Sequence, residues 1–416
     1  MDERIQELID HTQKLCGLGA YTLKSHHIFH NAQDGYIFST EWQPNEDETE
    51  KTNSNPPGTA VIGIDFHTKT LKSLVLVKDV SYIETGILPG NDRDQLLDWI
   101  EEETEMTYGR QFQLIKEDKN RFEFRASIDN LPVAPTGKID IKFNDKGQLV
   151  LFSVHGLFPD ESDMAWEPFS LTSEDTESFA RDSLTLVDIP VEKKMAWIPV
   201  YSFEEQFITN DGKSALSAQT VNEHPVYIHE DHILEWQGEA TGAVDKVKIE
   251  VSTETTLEQA LSAAEHADCK PISKQLEQAC LQEAARVMQL EYPEESGKWK
   301  ATSLYRQHGH LFTVIRPADP RMTAVRKITL VFDESGKVIN IVDNKFVFQL
   351  LSTFKEADEP QITADQAYDL LKNHIETEPV YVLDRESGKY HIHGRLHCPY
   401  AVNAVTGELL QTKEIM

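Results

Sequence analysis

Cysteine is scarce in this chain. Four occur in 416 residues, Cys16, Cys269, Cys280 and Cys398, and no two form a Cys-x-x-Cys pair. A cysteine-type structural zinc site is therefore not expected, and the thiols read as reduced. Long apolar runs are missing as well, and none approaches the roughly 20 residues that span a bilayer. The start, Met1-Asp2-Glu3-Arg4-Ile5-Gln6, has neither the basic nor the apolar stretch of a secretory leader. The expectation is a cytoplasmic protein with no membrane span. Positive charge is in deficit, with 40 Lys and Arg against 70 Asp and Glu, a formal charge of −30. Nucleic acid and anionic membrane select cationic surfaces, so neither is an expected partner. The common catalytic signatures are also absent. There is no phosphate loop ending in Lys-Ser/Thr, no Gly-x-Gly-x-x-Gly after a strand, no His-Glu-x-x-His and no Gly-x-Ser-x-Gly. No catalytic residue, cofactor-binding residue or cofactor is assigned.

What the chain does contain is a recurring pattern. Ile62-Gly63-Ile64-Asp65-Phe66 precedes Leu71–Val77, Ile139-Asp140-Ile141-Lys142-Phe143 precedes Leu149–Val154, and Ile328-Thr329-Leu330-Val331-Phe332 precedes Val338–Val342. Apolar alternation on both sides of a polar turn predicts a β-hairpin. Each hairpin follows a helical stretch and an earlier strand pair. The helices are expected at 2–15, from Asp92 to about Glu103, and from Ser273 to about Leu290. The third has Leu276, Cys280, Ala284, Val287 and Met288 inward. Aligning the three hairpins places Phe66, Phe143 and Phe332 at equivalent buried positions.

A second pattern occurs twice. Leu171-Thr172-Ser173-Glu174-Asp175-Thr176 and Ile362-Thr363-Ala364-Asp365-Gln366-Ala367 each open a helix, with Thr172 and Thr363 as N-caps. Pro199-Val200-Tyr201 and Pro379-Val380-Tyr381 follow as an apparent matching pair. A later strand is expected from His224-Pro225-Val226-Tyr227 in one and Cys398-Pro399-Tyr400-Ala401 in the other. The polar segment 236–260 reads as the core of a linker.

The opening Ile362-Thr363-Ala364-Asp365-Gln366-Ala367 and the later Ala404-Val405-Thr406-Gly407-Glu408-Leu409 resemble the PepSY type of small α+β domain. The alternation of the two patterns is similar to the YcdB/YcdC repeat proteins of spore-forming Gram-positive bacteria, over most of residues 92–412. Two departures stand out. Asn403 occupies a position where the family commonly has Asp, and the first copy carries Glu230-Asp231-His232 where a Thr-Gly turn is expected. The resemblance implies a protein that binds and restrains peptidases, or an extracytoplasmic sensor.

The richest run of candidate ligands is Tyr390-His391-Ile392-His393-Gly394-Arg395-Leu396-His397-Cys398. On a strand His391 and His393 share a face, and Cys398 could add a thiolate. Two imidazoles leave zinc short of the three protein ligands a catalytic site normally has, so no metal site is assigned. His26 and His27 point to opposite faces of a strand, with His30 just past its end. His308 and His310 flank Gly309 at a hairpin tip. Trp42, Trp99, Trp166, Trp197 and Trp299 read as packing residues.

The expected fold class is α+β, with repeated small units of antiparallel sheet, each packed by one helix, in two halves. The expected organisation is a helix-plus-sheet unit at 1–91, a second such unit with the first PepSY-like unit at 92–235, a linker at 236–272, and a third unit with the second PepSY-like unit at 273–416. The expected function is non-catalytic binding or regulation of a protein or peptide partner through sheet surfaces or edges. The alternatives are a metal-dependent hydrolase using His391, His393 and Cys398, and a structural component of a cell or spore assembly.

Overall fold

The computed structural model describes residues 2–31, 33–45, 55–84, 87–222, 228, 231–244, 246–249, 255–262, 266–322 and 326–415. In chain order, a first module comprises α1 (Glu3–Leu15), β1 (Tyr21–Asn31), β2 (Gly35–Pro44), β3 (Ala60–Asp65) and β4 (Leu71–Leu76). A second has α2 (Arg93–Thr104), β5 (Phe112–Asp118), β6 (Arg121–Ile128), the short β7 (Leu131–Ala134), β8 (Lys138–Phe143) and β9 (Leu149–His155). After the two-residue β10 (Met164–Ala165) come α3 (Ser173–Asp182), β11 (Leu184–Val191), β12 (Ala196–Phe203), β13 (Gln206–Thr209), β14 (Ala215–Ser217) and α4 (Ala218–Asn222). Then follow β15 (His232–Leu234), α5 (Leu257–Leu261), α6 (Lys274–Glu291), β16 (Trp299–Gln307), β17 (His310–Pro317), β18 (Ile328–Phe332) and β19 (Val338–Asp343). The chain closes with α7 (Lys345–Leu350), α8 (Ala364–Leu371), β20 (Glu376–Asp384), β21 (Lys389–His397), β22 (Tyr400–Asn403), β23 (Leu409–Gln411) and α9 (Thr412–Ile415). The protein is α+β, made of antiparallel sheets with helices packed on them. Among the described residues no helix is long and apolar enough to cross a membrane.

The chain divides into two compact units. The first holds Met1–Ala165, Ser252–His266 and Leu383–His391, and the second holds Trp166–Val251, Ala267–Val382 and Ile392–Met416. Part of the segment expected as a linker is built into the first unit. Thr255 donates its N–H to the Ile28 carbonyl at 2.7 Å, and Ala260 of α5 is fully buried in that unit's core.

The helix-plus-meander order occurs three times, as α1–β4, α2–β9 and α6–β19, and the three share two irregularities. In the first hairpin of each, the leading strand carries one extra residue. It lies between Leu23 and Ser25, between Leu114 and Lys116, and between Ala301 and Ser303. The residues opposite these bulges, Trp42, Phe124 and Ile315, pair in turn with Ala60, Ile139 and Ile328. In the last hairpin of each, the trailing strand carries the extra residue, opposite the step from Gly63 to Ile64, Lys142 to Phe143 and Val331 to Phe332. A bulge bends a strand and increases its twist, so matching bulges curve the three sheets alike over their helices.

The turn after each of these steps is held by one side chain. The Asp65 carboxylate accepts from the N–H groups of His67 and Thr68. The Asn144 carbonyl oxygen accepts from Lys146 and Gln148, and the Asp333 carboxylate accepts from Ser335 and Lys337. These anchors correct the alignment of the three phenylalanines. Phe143 and Phe332 directly precede their anchors and are equivalent, but the residue preceding Asp65 is Ile64. The first turn is one residue longer, closing from the Lys69 N–H to Asp65, where the others close from Gly147 and Gly336. Phe66 is thereby carried past the strand end into the turn. It remains buried in the first unit's core.

In the first unit β4 pairs with β9 antiparallel, which joins two meanders into one sheet of order β1-β2-β3-β4-β9-β8-β6-β5. One core fills it, with Ile5, Leu8 and Ile9 of α1 and Leu96 and Ile100 of α2 packed on Phe38, Phe124, Phe143 and Phe152.

In the second unit α6 covers the sheet β15-β16-β17-β18-β19, placing Cys280, Ala284, Val287 and Met288 in its core. The outer edge of β19 is occupied. Val247 donates its N–H to the Ile339 carbonyl. The Asn340 amide donates to the Val247 carbonyl while its oxygen accepts from the Ile341 N–H.

The module α3–β14 and the module α8–β23 exchange their closing hairpins. Strand β12 of the first pairs with β22 of the second, Tyr201 opposite Val402, and β21 of the second pairs with β13 of the first, Phe207 opposite Arg395. Both helices have the expected caps. The Thr172 and Thr363 hydroxyls accept from the third helical N–H, and the Asp175 and Gln366 side chains accept in return from the cap N–H. Two expectations about these modules are corrected. Pro199-Val200-Tyr201 lies on β12, the second strand of its module, whereas Pro379-Val380-Tyr381 lies on β20, the first. The tripeptides are therefore not equivalent. The turn corresponding to Asn403–Glu408 is Thr209–Ser214, each closed by the same backbone bond between its ends. Residues 224–227 and 230, expected to form that part of the first module, lie outside the described residues.

Candidate functional site

A recess of about 490 Å³ opens in the second unit, within the size range of ligand pockets. Its apolar wall is Trp197 at the start of β12, Phe348 on α7 and Phe354 beyond it. The Trp197 and Phe348 rings are 6.1 Å apart. The chain after α7 is fastened alongside β12. Trp197 donates its N–H to the Lys355 carbonyl and Lys355 donates to that of Met195, both at 2.9 Å. The polar wall is an ion pair, with the Arg321 guanidinium on the Asp188 carboxylate through two 3.1 Å bonds. Those bonds raise the Arg321 pKa against the opposing effect of burial. Asp319 and Glu356 complete an acidic rim. Beside the recess α7 leaves Phe346 and Leu350 69% and 59% exposed.

A second cluster joins β20 and β21. Glu376 and Glu378, two residues apart on β20, approach the His397 Nε2 atom of β21 at 3.8 and 3.7 Å. Next to His397, Arg395 binds Glu205 through Nε at 2.9 Å and Nη2 at 2.7 Å. Its Nη1 atom lies 3.8 Å from Glu378.

The candidates read from the sequence are distributed differently. His391 stands opposite Ala165 in the first unit. His393 is buried opposite Thr209 in the second. The Cys398 side chain packs into the apolar core shared by the α3–β14 and α8–β23 modules, and burial raises its thiol pKa. Among the described residues His391, His393 and Cys398 join no group of three converging donors. The His26 ring packs on Phe38, and the His30 ring stacks on His266 with centroids 3.8 Å apart. His308 and Gly309 donate their backbone N–H groups to Asp268, which pins the β16–β17 turn. Trp42 and Trp299 are core residues, as expected, but Trp166 is 53% exposed and Trp197 lines the recess. The apolar run Phe346-Val347-Phe348 was visible in the sequence; its exposure was not.

These features define an α+β protein of antiparallel sheets with a partly apolar recess. No family model matches the chain, and no curated protein matches it. Among solved structures, the Bacillus megaterium YpeB C-terminal domain is a weak neighbour, with a TM-score of 0.25 and 12% identity. It covers 53% of this chain and 98% of that chain.

Proposed function

We propose that this chain is a non-catalytic binding protein that holds a segment of a protein partner against its second unit. One observation carries the reading. A partly apolar recess walled on one side by Trp197, Phe348 and Phe354 lies beside a helix that leaves Phe346 and Leu350 in solvent. A partner segment would place one large apolar side chain in the recess and lay others along α7. The rim and the overall charge of −30 favour Lys or Arg flanking that anchor. Membership of the YcdB/YcdC type, and with it restraint of a peptidase, is the finer form of this proposal. It is supported by the two capped helix openings and the Thr406-Gly407 turn. A reducing, cytoplasmic setting is proposed with it, consistent with a chain of only four cysteines and no Cys-x-x-Cys pair.

Selection of a displayed random peptide library on the purified protein tests the reading. The expected result is enrichment of peptides with an aromatic or Leu anchor next to basic residues, whose binding is lost in a Phe346→Asp, Leu350→Asp variant. Failure to enrich any peptide, or equal binding by that variant, overturns it.

A further inference from the structure

We propose that Glu376, Glu378 and His397 form a binding site for a divalent transition-metal cation of the zinc class. The proposal is independent of the peptide recess.

The two glutamates alternate along β20 and so present to one face of the sheet, and His397 meets them from the neighbouring strand β21. Their donor atoms all lie within 4.8 Å of one another. The separations of 3.8 and 3.7 Å from His397 Nε2 are too long for hydrogen bonds. They are close to the spacing of ligands around one tetrahedral zinc ion, roughly 3.3 Å for bonds near 2.0 Å. The nitrogen itself is the most telling feature. Nε2 is shut off from solvent and has no hydrogen-bond partner, a condition that folded proteins avoid. A cation held between it and the two carboxylates would satisfy it.

Charge supports the same reading. Arg395 is neutralised by its two bonds to Glu205, which leaves the two carboxylates of Glu376 and Glu378 as the uncompensated charges beside His397. That sum suits a divalent ion. Arg395 also lies against Glu378 Oε2, whereas Oε1 is the oxygen nearest His397. The guanidinium therefore acts as a positioning group for that ligand. One imidazole with two carboxylates favours zinc-class ions over calcium or magnesium, which prefer all-oxygen sites. Three protein ligands leave a fourth position open. The ion would clamp β20 to β21.

Zinc titration by calorimetry, on full-length protein first stripped with a chelator, tests the proposal. The expected result is one zinc per chain, with affinity at least tenfold weaker in His397→Ala and in a Glu376→Gln, Glu378→Gln variant. His391→Ala should bind as the parent does. Saturating zinc should raise the parent's melting temperature by roughly 5 °C, and magnesium should leave it unchanged. The glutamate variant alters only partly exposed side chains, so it keeps the test decisive if His397→Ala folds poorly. Absence of saturable zinc binding, or parental affinity in the glutamate variant, overturns the proposal. In that case His397 and the two carboxylates make a purely structural contact, and replacing His397 would change stability equally with and without zinc.

Discussion

Leu74 and Phe152 face each other as register partners across the β4–β9 junction, and they occupy the same place in their two modules. Leu71 and Leu149 each lie opposite the residue preceding the turn anchor, and Leu74 and Phe152 each lie three residues further on. The flanking pairs, Ser73 with Ser153 and Val75 with Leu151, are then exchanged by a local two-fold axis through the central pair. The junction is therefore isologous, like the interface of a symmetric dimer within one chain. The matching edge in the third module is β19, and there Val247 and Asn340 take up the exposed backbone groups instead.

Both central residues are fully buried. Phe152→Ala should cost about 3–5 kcal/mol and Leu74→Ala about 2–5 kcal/mol. Because the two are directly opposed, the double variant should depart from additivity by about 0.5 kcal/mol or more. Urea denaturation measures all three; strict additivity would argue against the shared junction.

The turn anchors predict which residues of the three modules respond alike. Phe143→Ala and Phe332→Ala should each cost about 3–5 kcal/mol, and the matching replacement in the first module is Ile64→Ala, at about 2–5 kcal/mol. Thermal melts of the three variants check this. An Ile64→Ala protein as stable as the parent would contradict the corrected alignment.

The hairpin exchange makes a separate claim. Ile208 belongs by sequence to the α3–β14 module and Leu396 to the α8–β23 module, yet both are fully buried in one core cluster. Ile208→Ala and Leu396→Ala should each destabilise by about 2–5 kcal/mol, and a double-mutant cycle should give a coupling of about 0.5 kcal/mol or more. A vanishing coupling would mean that the modules close on themselves.

Stability should also depend on pH through Asp343. Burial disfavours its charge, but hydrogen bonds from Arg326 and Tyr292 outweigh that effect and hold its pKa below the usual carboxylate range. A carboxyl depressed by folding contributes stability above its unfolded pKa of about 3.9, and that contribution is lost as pH falls through the folded value. Tyr292 acts at the other end. Burial first, then its bond to Asp343, push its pKa up to about 12. Its contribution is complete below pH of about 10 and is lost as pH rises toward the folded value. Denaturation across pH should show both limbs, and Asp343→Asn should flatten the acid one.

The hairpins, helices and caps were legible because alternation, helical spacing and Thr-led capping act within a dozen residues. The placing of Phe66 was not, because one extra turn residue shifts a register without disturbing its alternation. Pro-Val-Tyr misled for a related reason: a three-residue match does not say which strand of a hairpin carries it. The exchange of β13–β14 with β22–β23 left no local trace, since either partner strand suits the same pattern. The sites were hidden by distance along the chain. Trp197, Arg321 and Phe348 meet only through tertiary structure, and His397 was noticed within its histidine run while its partners Glu376 and Glu378 lie on another strand.

The binding proposal is tested most directly by hydrogen–deuterium exchange on the full-length protein, with and without a peptide selected from the library. The account predicts that bound peptide slows exchange in α7, in the following segment through Ala357 and at the start of β12. Protection confined to other strands, with those three stretches unchanged, would contradict it.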